Sequence, residues 1–167
     1  ECLPPPAGEI ARTGAGLLLD TLVACGVDTV FGYPGGAVLP LYDALAQDGR
    51  LRHVLVRHEQ AAVHAAQGYA RSTGRLGVVF VTSGPGIANT TSGLLDALSD
   101  SIPVLCISGQ VATTSIGTDA FQECDALGIS RTVTKWNTQL RATRDINATI
   151  RRAVREASEG RPGPVLV

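Results

Sequence analysis

Short apolar runs recur along the chain at Asp28–Phe31, His53–Val56, Val78–Val81, Val104–Ile107 and Val165–Val167, with a weaker candidate at Thr132–Trp136. They are continuous and rich in valine, the pattern of parallel strands covered on both faces. Helical spacing fills the intervals. Leu18, Leu22 and Cys25 mark one stripe that Gly26 closes, and Val38, Leu41, Tyr42 and Leu45 mark a second with Pro40 in its first turn. A third helix is expected over Glu59–Thr73. Ile87, Thr91, Leu94, Leu95 and Leu98 give a fourth stripe, and Ile146, Ile150, Ala153, Val154 and Ala157 a fifth, with Asp145 as its N-cap. Strand and helix alternate throughout. The fold class expected is therefore α/β, a doubly wound open sheet of about six parallel strands with helices on both faces.

The third helix carries an anomaly. Gln60, His64, Gln67 and Arg71 form one polar stripe, and Glu59 is not on it. Counted from Glu59, the same steps reach Val63, Ala66 and Ala70, an apolar stripe that should face the core. An acid in a first helical turn interacts favourably with the helix dipole, which explains its presence but not its aim. A carboxylate directed into apolar surroundings suits a proton donor or a hydrogen-bond partner to a ring nitrogen.

Boundaries and composition narrow the class. Residues 1–12, with the proline run Pro4–Pro6, read as a disordered or extended lead-in, leaving 13–167 as the domain. The last residues, G-R-P-G-P-V-L-V, form a turn and an apolar strand with no polar tail, as expected of a fragment of a longer protein. With 167 residues, 44% hydrophobic, the chain can bury a sizeable core, and its net charge of -1 without a basic block disfavours nucleic-acid and membrane partners. Cys2, Cys25, Cys106 and Cys124 make no C-x-x-C pair, which fits free thiols and a cytoplasmic setting. His53, His58 and His64 are five and six residues apart, so no two share a helical face as zinc ligands would, and no metal ligand is assigned. A G-x-S-x-G elbow is also absent.

In such a sheet, ligands meet the loops at the carboxyl ends of the strands. Here these would be F-G-Y-P-G-G-A (Phe31–Ala37), R-H-E-Q, S-G-P-G-I-A-N (Ser83–Asn89) and the long aperiodic stretch Gly109–Ala126. S-G-P-G-I-A-N lacks the third glycine of a dinucleotide fingerprint and the G-K-[ST] of a P-loop, which argues against a flavodoxin-like nucleotide site. Read alone, each glycine-rich segment is either a tight turn or bare backbone that a ligand can approach.

Taken together, V-F-G-Y-P-G-G-A-V-L-P-L-Y-D-A-L, R-H-E-Q-A-A, S-G-P-G-I-A-N, D-A-L-S-D-S-I-P-V, I-G-T-D-A-F-Q-E, T-K-W-N and R-P-G-P-V-L-V resemble the thiamine diphosphate enzymes, and among them the acetohydroxyacid (acetolactate) synthase family. They run in order from about Leu17 to Val167. The resemblance implies a pyrimidine-binding domain in which Glu59 meets the ring nitrogen N1′ of thiamine diphosphate. It implies Gly36 near the reacting oxygen, Tyr33 and Pro34 lining the ring pocket, and Pro85 and Asn89 packing against or bonding the pyrimidine. Phe121 and Gln122 would face the substrate. The implied reaction decarboxylates pyruvate and joins the product to a second 2-keto acid, in branched-chain amino acid synthesis. Also implied are a homodimer or higher homo-oligomer, a possible regulatory subunit, possible FAD, and magnesium bound by a C-terminal domain. Another thiamine diphosphate decarboxylase or carboligase, or a non-catalytic oligomerisation or regulatory module, would share the sheet and Glu59. Ala112 departs from the proline of many members, on a rim that also lines the herbicide channel. No G-D-G followed by N-N is present to hold magnesium and the diphosphate.

Overall fold

The computed structural model describes residues 13–167; the lead-in 1–12 and Cys2 lie outside the described residues. Six strands form one sheet: β1 (Thr29–Gly32), β2 (Arg52–Leu55), β3 (Gly77–Val81), β4 (Val104–Ser108), β5 (Trp136–Asn137) and β6 (Pro164–Leu166). Their order is β2-β1-β3-β4-β6-β5, and every pairing is parallel. The doubly wound α/β fold expected from the valine-rich runs is thus present.

Successive β3 residues point to opposite faces and meet two separate cores. Val78 and Phe80 join Leu22, Leu45 and Ile150 beneath α1 (Gly14–Ala24), α2 (Leu39–Asp48) and α7 (Ile146–Ser158). Val79 and Val81 join Ala62, Val63, Ala66 and Leu94 beneath α3 (Glu59–Thr73) and α5 (Thr91–Ser99). The polar stripe of α3 lies along α5. Gln67 is buried and donates to Gly93 O at 3.0 Å, and Arg71 pairs with Asp100.

Element ends follow local chemistry. α1 stops at Ala24 and Gly26 turns the chain out at φ +83°, a left-handed conformation that glycine adopts cheaply. Pro40 sits in the first turn of α2, where its missing N–H costs nothing. His58 caps α3, its Nδ1 accepting the Gln60 N–H at 3.2 Å.

Four sequence expectations are corrected in whole or in part. The stripe from Ile87 to Leu98 is not one helix but α4 (Pro85–Ala88) and α5, because Thr90 bonds back to Ile87 O through both N–H and hydroxyl before the helix restarts. Leu95 consequently stands 50% exposed. Thr132–Trp136 shrinks to a two-residue strand, since Val133 N–H and the Thr134 hydroxyl both bond Ser130 O and coil the chain there. Asp145 is the N-cap residue of α7 as expected, but its side chain makes no capping bond, because a 3-10 turn over Thr143–Asp145 leads into the helix. The stretch 109–126 contains a 3-10 turn at Thr113–Ser115, and its final residue begins α6 (Ala126–Ser130).

The approach of α3 to the sheet depends on Gly77: a Cβ there would lie 2.4 Å from Ala66 O and 2.9 Å from Ala66 Cβ. Gly77→Ala should therefore destabilise the protein by about 1–3 kcal/mol through overpacking, read from the urea midpoint. An unchanged midpoint would show that α3 can retreat without loss.

Candidate active site

The strand order reverses at β1. The chain leaves β1 to place β2 on one side, then crosses with α3 to place β3 on the other. The crevice beyond the carboxyl ends of β1 and β3 is the topological switch point, where open α/β sheets take their ligands. Both glycine-rich turns emerge there.

They are joined to each other. The Tyr33 N–H donates to Phe80 O at 3.2 Å, and the Ala37 N–H to Thr82 Oγ1 at 3.3 Å. Gly35 lies so close that a Cβ would stand 2.6 Å from Thr82 Cβ. Ser108 at the end of β4 ties its hydroxyl to Thr82 O at 3.2 Å. Thr82 thus holds the two turns and β4 together. Sequence reasoning did not single it out; its place directly before S-G-P-G was the available signal.

Glu59 opens α3 at the mouth of the same crevice and is only 8% exposed. Its Oε2 accepts from Asn89 Nδ2 at 2.9 Å. Its Oε1 faces the S-G-P-G turn, 3.7 Å from where a Cβ on Gly86 would be. The inward aim deduced from helix phase is correct, since Val63, Ala66 and Ala70 are buried along the same stripe. Asn89 was expected at a ring; its amide engages the acid.

The remaining expected residues stand on the rim. Tyr33, Pro34, Gly36, Pro85 and Asn89 are exposed, and Gly36 begins a 3-10 turn with no atom of the chain within 4 Å of a hypothetical Cβ. Nothing in this domain demands glycine at 36, so its bare backbone faces open space. Phe121 is 87% exposed, the most open large apolar side chain among the described residues. Gln122 has a left-handed backbone at φ +59°. A Cβ on Gly84 would fall 2.6 Å from Gln122 O, which brings this stretch of the long loop onto the S-G-P-G turn. Val111 and Ala112 precede that loop's 3-10 turn.

The histidines occupy separate places. His58 caps α3, His64 lies 3.6 Å from Asp96, and His53 stacks edge-on against Tyr42 with its pKa lowered by burial. Cys106 is fully buried, its thiol pushed up to about 12 by desolvation. A cavity of about 350 Å³ opens on the opposite face of the sheet, among Leu18, Val38, Leu41, Ile107, Val111 and Leu140. No ionisable side chain lines it.

Comparison with known proteins bears on this geometry. The family described as "Thiamine pyrophosphate enzyme, N-terminal TPP binding domain" matches residues 12–129, the span that contains both turns, Glu59 and the Phe121–Gln122 loop. The chain belongs to this family. The match ends inside α6, so α7, β5 and β6 complete the sheet beyond it. Similar proteins include the acetolactate synthase large subunit of Haemophilus influenzae, 56% identical over 155 residues, 93% of this chain and 27% of that protein. The isozyme 3 large subunit of Escherichia coli is likewise 56% identical over 155 residues, 93% of this chain and 27% of its own length. The mitochondrial acetolactate synthase catalytic subunit of Saccharomyces cerevisiae is 49% identical over 158 residues, 95% of this chain and 23% of its own. The chain spans about a quarter of the length of these relatives.

Within this thiamine pyrophosphate-enzyme domain, the Asn89–Glu59 bond is a testable local prediction. Asn89→Ala should cost about 1–2 kcal/mol by removing a donor from a nearly buried carboxylate, and nearly nothing in a Glu59→Ala background. Equal costs in both backgrounds, measured by denaturant unfolding, would show that the pair contributes no coupling.

Proposed function

We propose that this chain is the pyrimidine-binding domain, residues 13–167, of an acetolactate synthase-type carboligase. The observation that carries the proposal is Glu59 at the switch point: 8% exposed, one oxygen held by Asn89 and the other turned toward the S-G-P-G turn. A carboxyl group so placed can share a proton with a ring nitrogen. The donor set fits an aminopyrimidine better than a phosphate, since the crevice presents an acid.

In this reading Glu59 holds a proton at N1′, Pro85 and Asn89 border the pyrimidine, and Tyr33 and Pro34 flank the ring. When bound, thiamine diphosphate supplies a thiazolium carbon that adds to a 2-keto acid and accepts the electrons left by departing carbon dioxide. Gly36 offers its amide toward developing negative charge, and Gln122 and Phe121 border the substrate. The reaction is decarboxylation of pyruvate and condensation with a second 2-keto acid, which serves branched-chain amino acid synthesis. The relatives' names support this choice over other carboligases.

The open rim supports a site completed by other parts of the enzyme. Magnesium and the diphosphate would be held by a C-terminal domain, within a homodimer or larger homo-oligomer, and the exposed Phe121 and Tyr33 would be covered there. A cytoplasmic location belongs to the proposal, and FAD and a regulatory subunit are compatible with it. No helix among the described residues is long and apolar enough to cross a membrane.

Two measurements test it. In the full-length enzyme, Glu59→Gln should slow hydrogen–deuterium exchange at the thiazolium C2 by roughly 10²–10⁴-fold with folding intact; an unchanged rate sinks the assignment of Glu59. The purified 167-residue chain should convert no pyruvate to acetolactate, and turnover by it would refute the shared-site reading.

A further inference from the structure

The segment from Gly117 to Glu123 has no regular structure, yet three of its residues hold left-handed backbone: Gly117 at φ +85°, Asp119 at +55° and Gln122 at +59°. Asp119 and Gln122 are not glycines, so each conformation needs something outside its own preference to hold it. The interactions converge on Glu123. Its Oε1 accepts the Gly117 N–H and its Oε2 accepts the Ala120 N–H at 3.1 Å, while its own N–H donates to Ala120 O at 2.8 Å. One carboxylate therefore closes the loop at both ends. The Gly117 N–H above all, with further backbone amides, holds its pKa below the ordinary glutamate range, so the closing group is ionised at neutral pH.

The closed loop rests on the candidate site. The backbone of Gln122 packs against Gly84, where a Cβ would lie 2.6 Å from Gln122 O and 3.0 Å from its Cα. Two residues on, Gly86 lies beside Glu59 Oε1. Below the loop, Gln110 anchors the following turn through Nε2 to Cys124 O at 3.1 Å. The chain of contacts thus runs from Glu123 through Gln122 to the turn in front of the acid.

We propose that Glu123 is a positioning residue for the substrate side of the site, fixing the Gly117–Glu123 loop so that Phe121 and Gln122 are held at the Gly84 turn. The proposal rests on the function proposed above, and it adds a residue that touches neither cofactor nor substrate. Losing the carboxylate frees the loop, weakens 2-keto acid binding and leaves Glu59 as it was.

The test uses the full-length enzyme loaded with thiamine diphosphate and magnesium. Glu123→Ala should raise the KM for pyruvate by about tenfold or more. The C2 exchange rate of the bound cofactor should stay within about twofold of wild type, because Glu59 and Asn89 are untouched. Backbone amide exchange across residues 115–123 should accelerate. Glu123→Gln keeps one acceptor oxygen at similar size, so it should restore part of the KM and part of the amide protection; it also carries the same readouts should the alanine variant fail to fold. Unchanged amide exchange in both variants would overturn the loop-holding role. Faster exchange with an unchanged KM, or a C2 rate that falls as KM rises, would overturn the link to substrate. A wild-type enzyme inert toward pyruvate would overturn the proposed function and the substrate link together, whereas amide exchange reads the loop without turnover.

Discussion

The position of α3 on the sheet is the constraint on which the rest depends. Ala62, Val63, Ala66 and Ala70 form a stripe of small buried side chains, and Gly77 gives their backbone room against β3. Larger residues at either place would lift the helix and carry Glu59 away from the switch point. Because the helix starts at residue 59 itself, its packing phase sets the direction of the acid. The Glu59 side chain is positioned by core packing more than by any bond of its own.

Around that acid the rim is organised by polar ties to bare backbone. Thr82 holds the turn after β1 to the turn after β3, Asn89 holds Glu59, and Glu123 holds the loop that overlies Gly84. The glycines of these turns approach other backbone and side chains closely: a Cβ on Gly35, Gly84 or Gly86 would collide with Thr82 or Gln122. The buried sheet beneath is apolar on both faces, so the polar inventory is concentrated at the carboxyl edge. Such a division leaves a rigid apolar scaffold beneath a polar rim of loops.

Much of this was legible in the sequence because the relevant signals were periodic. Valine-rich runs gave five of the strands to within a residue or two, and helix phase alone turned Glu59 inward. Where periodicity was misleading, short-range hydrogen bonds had prevailed. Thr90 interrupts an apolar stripe by bonding to Ile87 O, and Thr134 coils what looked like a strand. The long loop was recognisable as a loop, but its closure was not, because Glu123 acts through backbone amides that leave no pattern in side-chain spacing. His58 was hidden for a different reason: histidine is an uncommon N-cap, so nothing in R-H-E-Q announced that role. The bond from Asn89 to Glu59 was not legible, because it depends on the break between α4 and α5.

The central claim is that the Glu59 carboxyl meets the ring nitrogen of a bound pyrimidine. Thiamine diphosphate labelled with nitrogen-15 at N1′, bound to the full-length enzyme, reports that contact directly through its chemical shift. A large shift from the free cofactor is expected in wild-type enzyme, lost in Glu59→Ala while the cofactor stays bound. The same N1′ shift in both proteins would contradict it.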